Sequence, residues 1–149
     1  MFVWPVRVYY EDTDSGGVIY YANYLKFMER ARTEWLRSFG IEQDDLREQQ
    51  GIIFAVHSVM VNFLSSGHFD DLLYVTATVL QQRRASLTFD QQVMRPLIHI
   101  PVATPGEKDI KENMTVLCAG QVKIACLDAS SMRPRHIPDQ ILTEIARDS

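Results

Sequence analysis

One amphipathic stretch, and the absence of another before the chain's last residues, most narrows the fold. From Ala22 to Phe39, Leu25, Met28, Ala31, Trp35, Leu36 and Phe39 recur at three- and four-residue spacings. That periodicity makes one broad apolar stripe on a helix. Asn23 stands where an N-cap would accept an early free N–H, and Gly40 where a left-handed residue would end the helix. At 1.5 Å per residue the helix spans about 25 Å, enough to cross a small sheet.

The runs around this helix are strand-like. Phe2 to Tyr10 is rich in β-formers, and Glu11 to Gly17 reads as a turn. After a polar stretch come Ile52 to Leu64, Leu72 to Leu80, Ala85 to Met94 and Val116 to Cys126, with a hairpin turn at Gln81 to Arg84. In the last strand Val116, Cys118, Gly120, Val122, Ile124 and Cys126 face one side. Pro96 to Asn113 holds three prolines and Gly106 and is expected to be a long exposed connection. A short helix closes the chain, with Pro138 near its first turn and Ile141, Leu142 and Ile145 on its apolar face. Strands that follow one another without helical crossovers pair antiparallel. The chain is thus expected to be α+β: one domain over residues 1–149, with a sheet of about five strands curled around a central helix.

Composition excludes several functions. Fifteen basic against nineteen acidic residues give a net charge of −4, against the basic stripe of a nucleic-acid binder. No apolar run approaches the ~18 residues of a membrane span, and Met1 to Pro5 lacks the parts of a secretory leader. Cys118 and Cys126 fall eight residues apart in one strand, about 26 Å at 3.3 Å per residue, so they cannot form a disulfide together. Buried apolar filler in a reducing cytoplasm is the expectation for both. His57, His68, His99 and His136 share no metal-ligand spacing, so no metal site is expected, and no cofactor is expected either.

The densest polar and glycine-rich segment is Tyr10 to Tyr24, between the first strand and the long helix. A calcium loop beginning at Asp12 would need Asp or Asn at position 16 and Glu at 23; Gly16 and Asn23 stand there. A phosphate loop would need its Gly-Lys-Ser/Thr tail, which is missing. The segment does offer a carboxylate beside two glycines, opening into a helix N-terminus. Free N–H groups there can polarise a carbonyl, and the carboxylate can activate water or attack it. Those parts suffice for thioester hydrolysis, although an Asp-rich turn serves equally for capping, the role expected of Asp12.

The run Glu11-Asp12-Thr13-Asp14-x-Gly-Gly-Val-x-Tyr-Tyr-x-x-Tyr, followed by Phe27-Met28-Glu29-Arg30-Ala31-Arg32-Thr33-Glu34, resembles the signature of hotdog-fold thioesterases. The family is that of 4-hydroxybenzoyl-CoA thioesterase, especially the acyl-CoA thioesterases encoded with the bacterial Tol–Pal envelope system. The resemblance continues to Met132-Arg133-Pro134-Arg135. It implies an acyl-CoA thioesterase in which Asp14 is the catalytic carboxylate. The Tyr21 backbone N–H would hold the thioester carbonyl, and Gly17 would permit close approach. Many Tol–Pal-associated members carry His where Tyr21 stands, so an imidazole contribution is not available here. Arg83, Arg84, Arg133 and Arg135 are candidates for the CoA phosphates. The resemblance also implies a homo-oligomer, a dimer or a dimer of dimers, paired edge to edge with sites between subunits. A non-catalytic accessory that holds acyl-CoA or acyl carrier protein for the envelope machinery, and a bare oligomerisation module, are the competing readings.

Overall fold

The structure is a computed structural model that describes residues 1–98 and 105–148. Five antiparallel strands form one sheet in the order β1-β3-β4-β5-β2. They are β1 (Phe2–Arg7), β2 (Ile52–Phe63), β3 (Leu72–Gln82), β4 (Ser86–Pro96) and β5 (Met114–Asp128). The long helix α1 (Asn23–Arg37) lies across the apolar face; Phe27, Met28, Ala31, Trp35 and Leu36 are buried against Leu73, Val75, Leu87, Phe89 and Val122. Trp35 meets Phe89 edge to face at 5.1 Å. The expected α+β architecture, a curved sheet around one central helix, is what the chain adopts.

Gly40 ends the helix as its position suggested. Its φ is +80°, and the Gly40 and Ile41 N–H groups donate to the carbonyls of Arg37 and Leu36. Asn23 is not the cap. Ala22 is already in the right-handed helical region, so Asn23 is the first helical residue and its amide is free to reach elsewhere.

Three segments differ from the sequence expectation. β1 stops at Arg7, and Tyr10–Asp12 winds into a short 3₁₀ turn. The polar stretch before β2 holds a helix, α2 (Gln43–Gln50), closed by Gly51 at φ +66°. Leu46 alone in it is buried, too little apolar surface to mark a helix by periodicity. The Pro96–Asn113 connection contains α3 (Glu107–Glu112); its residues 99–104, including His99 and Pro101, lie outside the described residues. The closing helix α4 (Asp139–Asp148) starts just after Pro138.

Edge strand β2 is unusually apolar for a free edge. It spans 12 residues, and Val56, Val59, Met60 and Phe63 are all exposed. Natural edges are normally blunted by charge or proline, as Pro5 does in β1, the strand at the opposite edge of the sheet.

Candidate active site

The turn after β1 is built by short-range polar contacts. The buried Asp12 carboxylate accepts the Tyr9 N–H at 2.9 Å, the capping role its position suggested. The Asp12 carbonyl oxygen accepts the Tyr20 N–H at 2.9 Å and the Asn23 side-chain amide at 2.8 Å. One oxygen thereby ties both ends of the 13–20 segment to the start of α1. Between them, Asp14 N–H donates to Val18 O and Gly17 N–H to Asp14 O. This reversal needs a left-handed residue, and Gly17 supplies it at φ +80° with open space around it.

Asp14 is exposed, and its Oδ1 accepts the Gly16 N–H at 2.8 Å. The second carboxylate oxygen accepts no hydrogen bond among the described residues. The N–H of Tyr21 donates to no acceptor among the described residues. It stands just ahead of α1, where the helix dipole is positive. The Tyr21 ring lies 4.8 Å from Tyr20 and 6.0 Å from Phe63, at the far end of β2. The neighbouring Tyr21 hydroxyl pushes the Tyr20 phenol up from its ordinary range. Tyr24, buried beneath, accepts the Gly67 N–H on its hydroxyl, while Ile19 N–H donates to Gly67 O. The Asp14 turn, Tyr21 and the β2–β3 connection thus form one corner of the molecule.

The four arginines gather at the opposite end of the sheet. Arg83 and Arg84 sit in the β3–β4 turn, and the Arg84 carbonyl accepts the Ile137 N–H. Arg133 and Arg135 follow β5, where Asp128 pairs with Ile52 at the start of β2. Arg135 is already engaged: its Nη1 donates to the carbonyls of Gln50 (2.7 Å) and Gly51 (3.2 Å) and to Asp128 (3.4 Å). The Ser131 amide and hydroxyl, with Arg135 a smaller contributor, hold the Asp128 carboxyl below its ordinary range. Eleven residue steps of β2 separate the two ends, about 36 Å of strand at 3.3 Å per residue. Within one chain, Asp14 and the arginines do not meet.

Sequence reasoning also passed over Gln91. It sits in the apolar series Leu87, Phe89, Val93, fully buried, and its Nε2 donates to Met28 O (3.0 Å) and Thr76 O (3.1 Å). A polar residue in the inward phase of a strand was the available signal.

The family model of the thioesterase superfamily matches residues 16–96. The chain is 39% identical to the acyl-CoA thioesterase YbgC of Haemophilus influenzae, covering 94% of this chain and 90% of that protein. A probable thioesterase from Bartonella henselae superposes with a TM-score of 0.75 at 29% identity, covering 91% of this chain and 98% of that one. The 1,4-dihydroxy-2-naphthoyl-CoA thioesterase Slr0204 from Synechocystis shares the fold, with a TM-score of 0.79 at 20% identity over 97% of this chain and 95% of that one. With five antiparallel strands curved around one helix and this degree of sequence identity, the chain belongs to the thioesterase superfamily, the hotdog-fold family its Asp14 segment resembled.

Proposed function

We propose that the chain hydrolyses acyl-CoA to a free acid and CoA, with Asp14 acting on the thioester carbonyl and the Tyr21 N–H receiving the developing oxyanion. The observation that carries this is the Asp12 carbonyl, which fastens the Asp14 turn to the helix start that bears the free Tyr21 donor. The 39% identity to a protein named acyl-CoA thioesterase supports the same substrate. As a base, the Asp14 carboxylate takes a proton from water while the hydroxide adds to the carbonyl carbon. The tetrahedral intermediate then expels CoA thiolate, which is protonated on release. Direct attack by Asp14 gives an acyl-enzyme anhydride that water hydrolyses to the same products. One preorganised donor to an oxyanion is worth about 3 kcal/mol of barrier.

The site is completed by a second copy. A two-fold axis perpendicular to the sheet would pair the exposed apolar β2 edges antiparallel. The partner's Ile52 end, with its arginines, then lies beside the Phe63 end and the Asp14 turn of the first chain. In that arrangement Arg83, Arg84 and Arg133 of one subunit meet the CoA phosphates whose thioester Asp14 of the other cleaves. A further pairing of two such dimers gives the tetramer. Acyl-CoA is a cytoplasmic thioester, and the proposed setting is the cytoplasm beside the Tol–Pal system, with acyl carrier protein as the other thioester donor to test.

The test is thiol release from a panel of acyl-CoAs by the purified chain and by Asp14→Asn. Sustained release by the wild type and a fall of about 10²- to 10⁴-fold in the variant are expected for loss of this group. Acyl-CoA binding without release would instead establish the accessory reading, and wild-type turnover by Asp14→Asn would remove Asp14 from the mechanism.

A further inference from the structure

A groove of about 290 Å³ runs between α1 and β2, starting one turn into the helix. Leu25 and Met28 of α1 face Val56 and Val59 of β2 and Val122 of β5 across it. These walls suit an alkyl chain. Three charged residues also line it: Lys26, Glu29 and Arg32. In a chain whose net charge is −4, this apolar groove carries one net positive charge.

Arg32 is the unusual member. It is only 8% exposed, yet no carboxylate lies within ion-pair distance of it among the described residues. Among the described residues its single hydrogen bond, from Nη1 to Gln91 Oε1 at 3.0 Å, goes to a neutral amide. The Glu29 carboxylate, which accepts the Thr33 hydroxyl at 3.0 Å, offsets part of the Arg32 charge from beyond ion-pair distance. No sealed side-chain nitrogen or oxygen lacks a partner among the described residues, so the unbonded guanidinium nitrogens keep some exposure, and Arg32 lines both this groove and a smaller cavity. Burying a cation without a direct ion-pair partner is costly, and burial pulls its pKa down against the opposing pull of Glu29. An anion arriving in the groove would relieve that cost with two or more charge-assisted hydrogen bonds.

We propose that Arg32 binds the distal carboxylate of a dicarboxylic acyl group, making half-thioesters of medium-chain diacids a preferred substrate class. This deepens the thioesterase reading and rests on it. The chain length follows from the geometry. Helical side chains lean toward the N-terminus, and Gln91 links the Arg32 head to the Met28 carbonyl, so the head sits near the level of Met28. Tyr21 to Met28 is seven residues, about 10 Å along the axis. An extended chain advances about 1.2 Å per bond, a third of the 3.3–3.6 Å reach of a residue. About eight bonds then join the carbonyl carbon at Tyr21 to a carboxylate oxygen at Arg32, which is seven C–C bonds and one C–O bond in an octanedioyl group.

The experiment compares octanedioyl-CoA with octanoyl-CoA, which differ only at the far end. For the wild type, kcat/KM is expected to favour octanedioyl-CoA about ten- to a hundredfold, the range for a hydrogen bond to a charged group. In Arg32→Met the ratio falls to near one. Should that variant fail to fold, Arg32→Lys, which keeps the charge but loses the fork, is expected to retain only part of the preference. Binding of both thioesters to Asp14→Asn, measured by calorimetry, gives a readout independent of turnover. Discrimination in binding without hydrolysis would sink the thioesterase reading alone. Equal or better use and binding of octanoyl-CoA by the wild type would overturn the assignment of Arg32.

Discussion

The Asn23 side-chain amide lies 2.8 Å from the carbonyl oxygen of Asp12, a buried bond that locks the Asp14 turn to the first residue of α1. The Asp12 oxygen keeps its second donor, the Tyr20 N–H, when Asn23 is removed. Asn23→Ala should therefore cost only about 1 kcal/mol of stability, the usual net value of one hydrogen bond. Turnover should suffer far more, because a shift of about 1 Å between reacting groups can cost about 10²-fold. Urea denaturation alongside kcat checks this; a large stability loss with unchanged kcat would make the bond merely structural.

Gly17 tests the same turn from the backbone side. Its φ of +80° is unfavourable for any residue with a Cβ, yet nothing lies within 4 Å of where that Cβ would go. Gly17→Ala then introduces strain without a clash, about 1–2 kcal/mol. The expected result is a folded protein with a lower denaturation midpoint and reduced kcat. A midpoint equal to the wild type would mean the turn relaxes freely.

Which of these features the sequence makes legible depends on how local their causes are. The α1 stripe, its Gly40 terminus and the strands flanking it follow from spacing along the chain, and the structure has them within a few residues. The turn that carries Asp14 and its junction with α1 are legible because a carboxylate, two glycines and a helix start are sequence neighbours. Asn23 was misjudged because a cap and a donor to Asp12 look alike until Ala22 is known to be helical. Helix α2 was missed because it buries only Leu46. The strand order β1-β3-β4-β5-β2, which sends the arginines to the end opposite Asp14, is a long-range pairing that alternation does not encode.

Gly120 governs the β2 edge. A Cβ there would sit 2.1 Å from the Met60 carbonyl oxygen and 2.7 Å from Val61 Cα, so β2 itself would have to move. Gly120→Ala should destabilise the fold by about 3 kcal/mol, the upper range for overpacking. It should also weaken self-association through β2. Sedimentation of the variant at several concentrations measures the second effect; an intact dimer would place the interface elsewhere.

Cys118 provides a pH signature. Burial pushes its thiol up to about 11 from an ordinary value of 9.0. Between these values the native state holds a proton that the unfolded chain releases, so this contribution is full below about pH 9 and is lost as pH rises toward 11. The stability difference between wild type and Cys118→Val should shift against the wild type over that window, which isolates Cys118 from other titrating groups. Both cysteines are fully buried, and neither should react with a thiol reagent at pH 8 until the chain unfolds. A difference that stays flat with pH would show that Cys118 does not ionise differently in the two states.

The proposed division of the site between subunits yields the sharpest test. Arg83→Ala, Arg84→Ala and Arg133→Ala combined should raise KM for acyl-CoA while sparing kcat, because they would hold phosphates remote from the carbonyl. Arg135 is left alone, since it binds the Gln50 and Gly51 carbonyls at the end of α2. The triple variant and Asp14→Asn are each assayed at low substrate, where both are impaired, then unfolded together and refolded as a mixture. If Asp14 of one subunit works with the partner's arginines, a mixed dimer has one site with both intact halves and one with neither. Random pairing makes half the dimers mixed, so roughly a quarter of wild-type activity should return. If each chain used its own arginines, every mixed site would carry one defect and mixing would restore nothing.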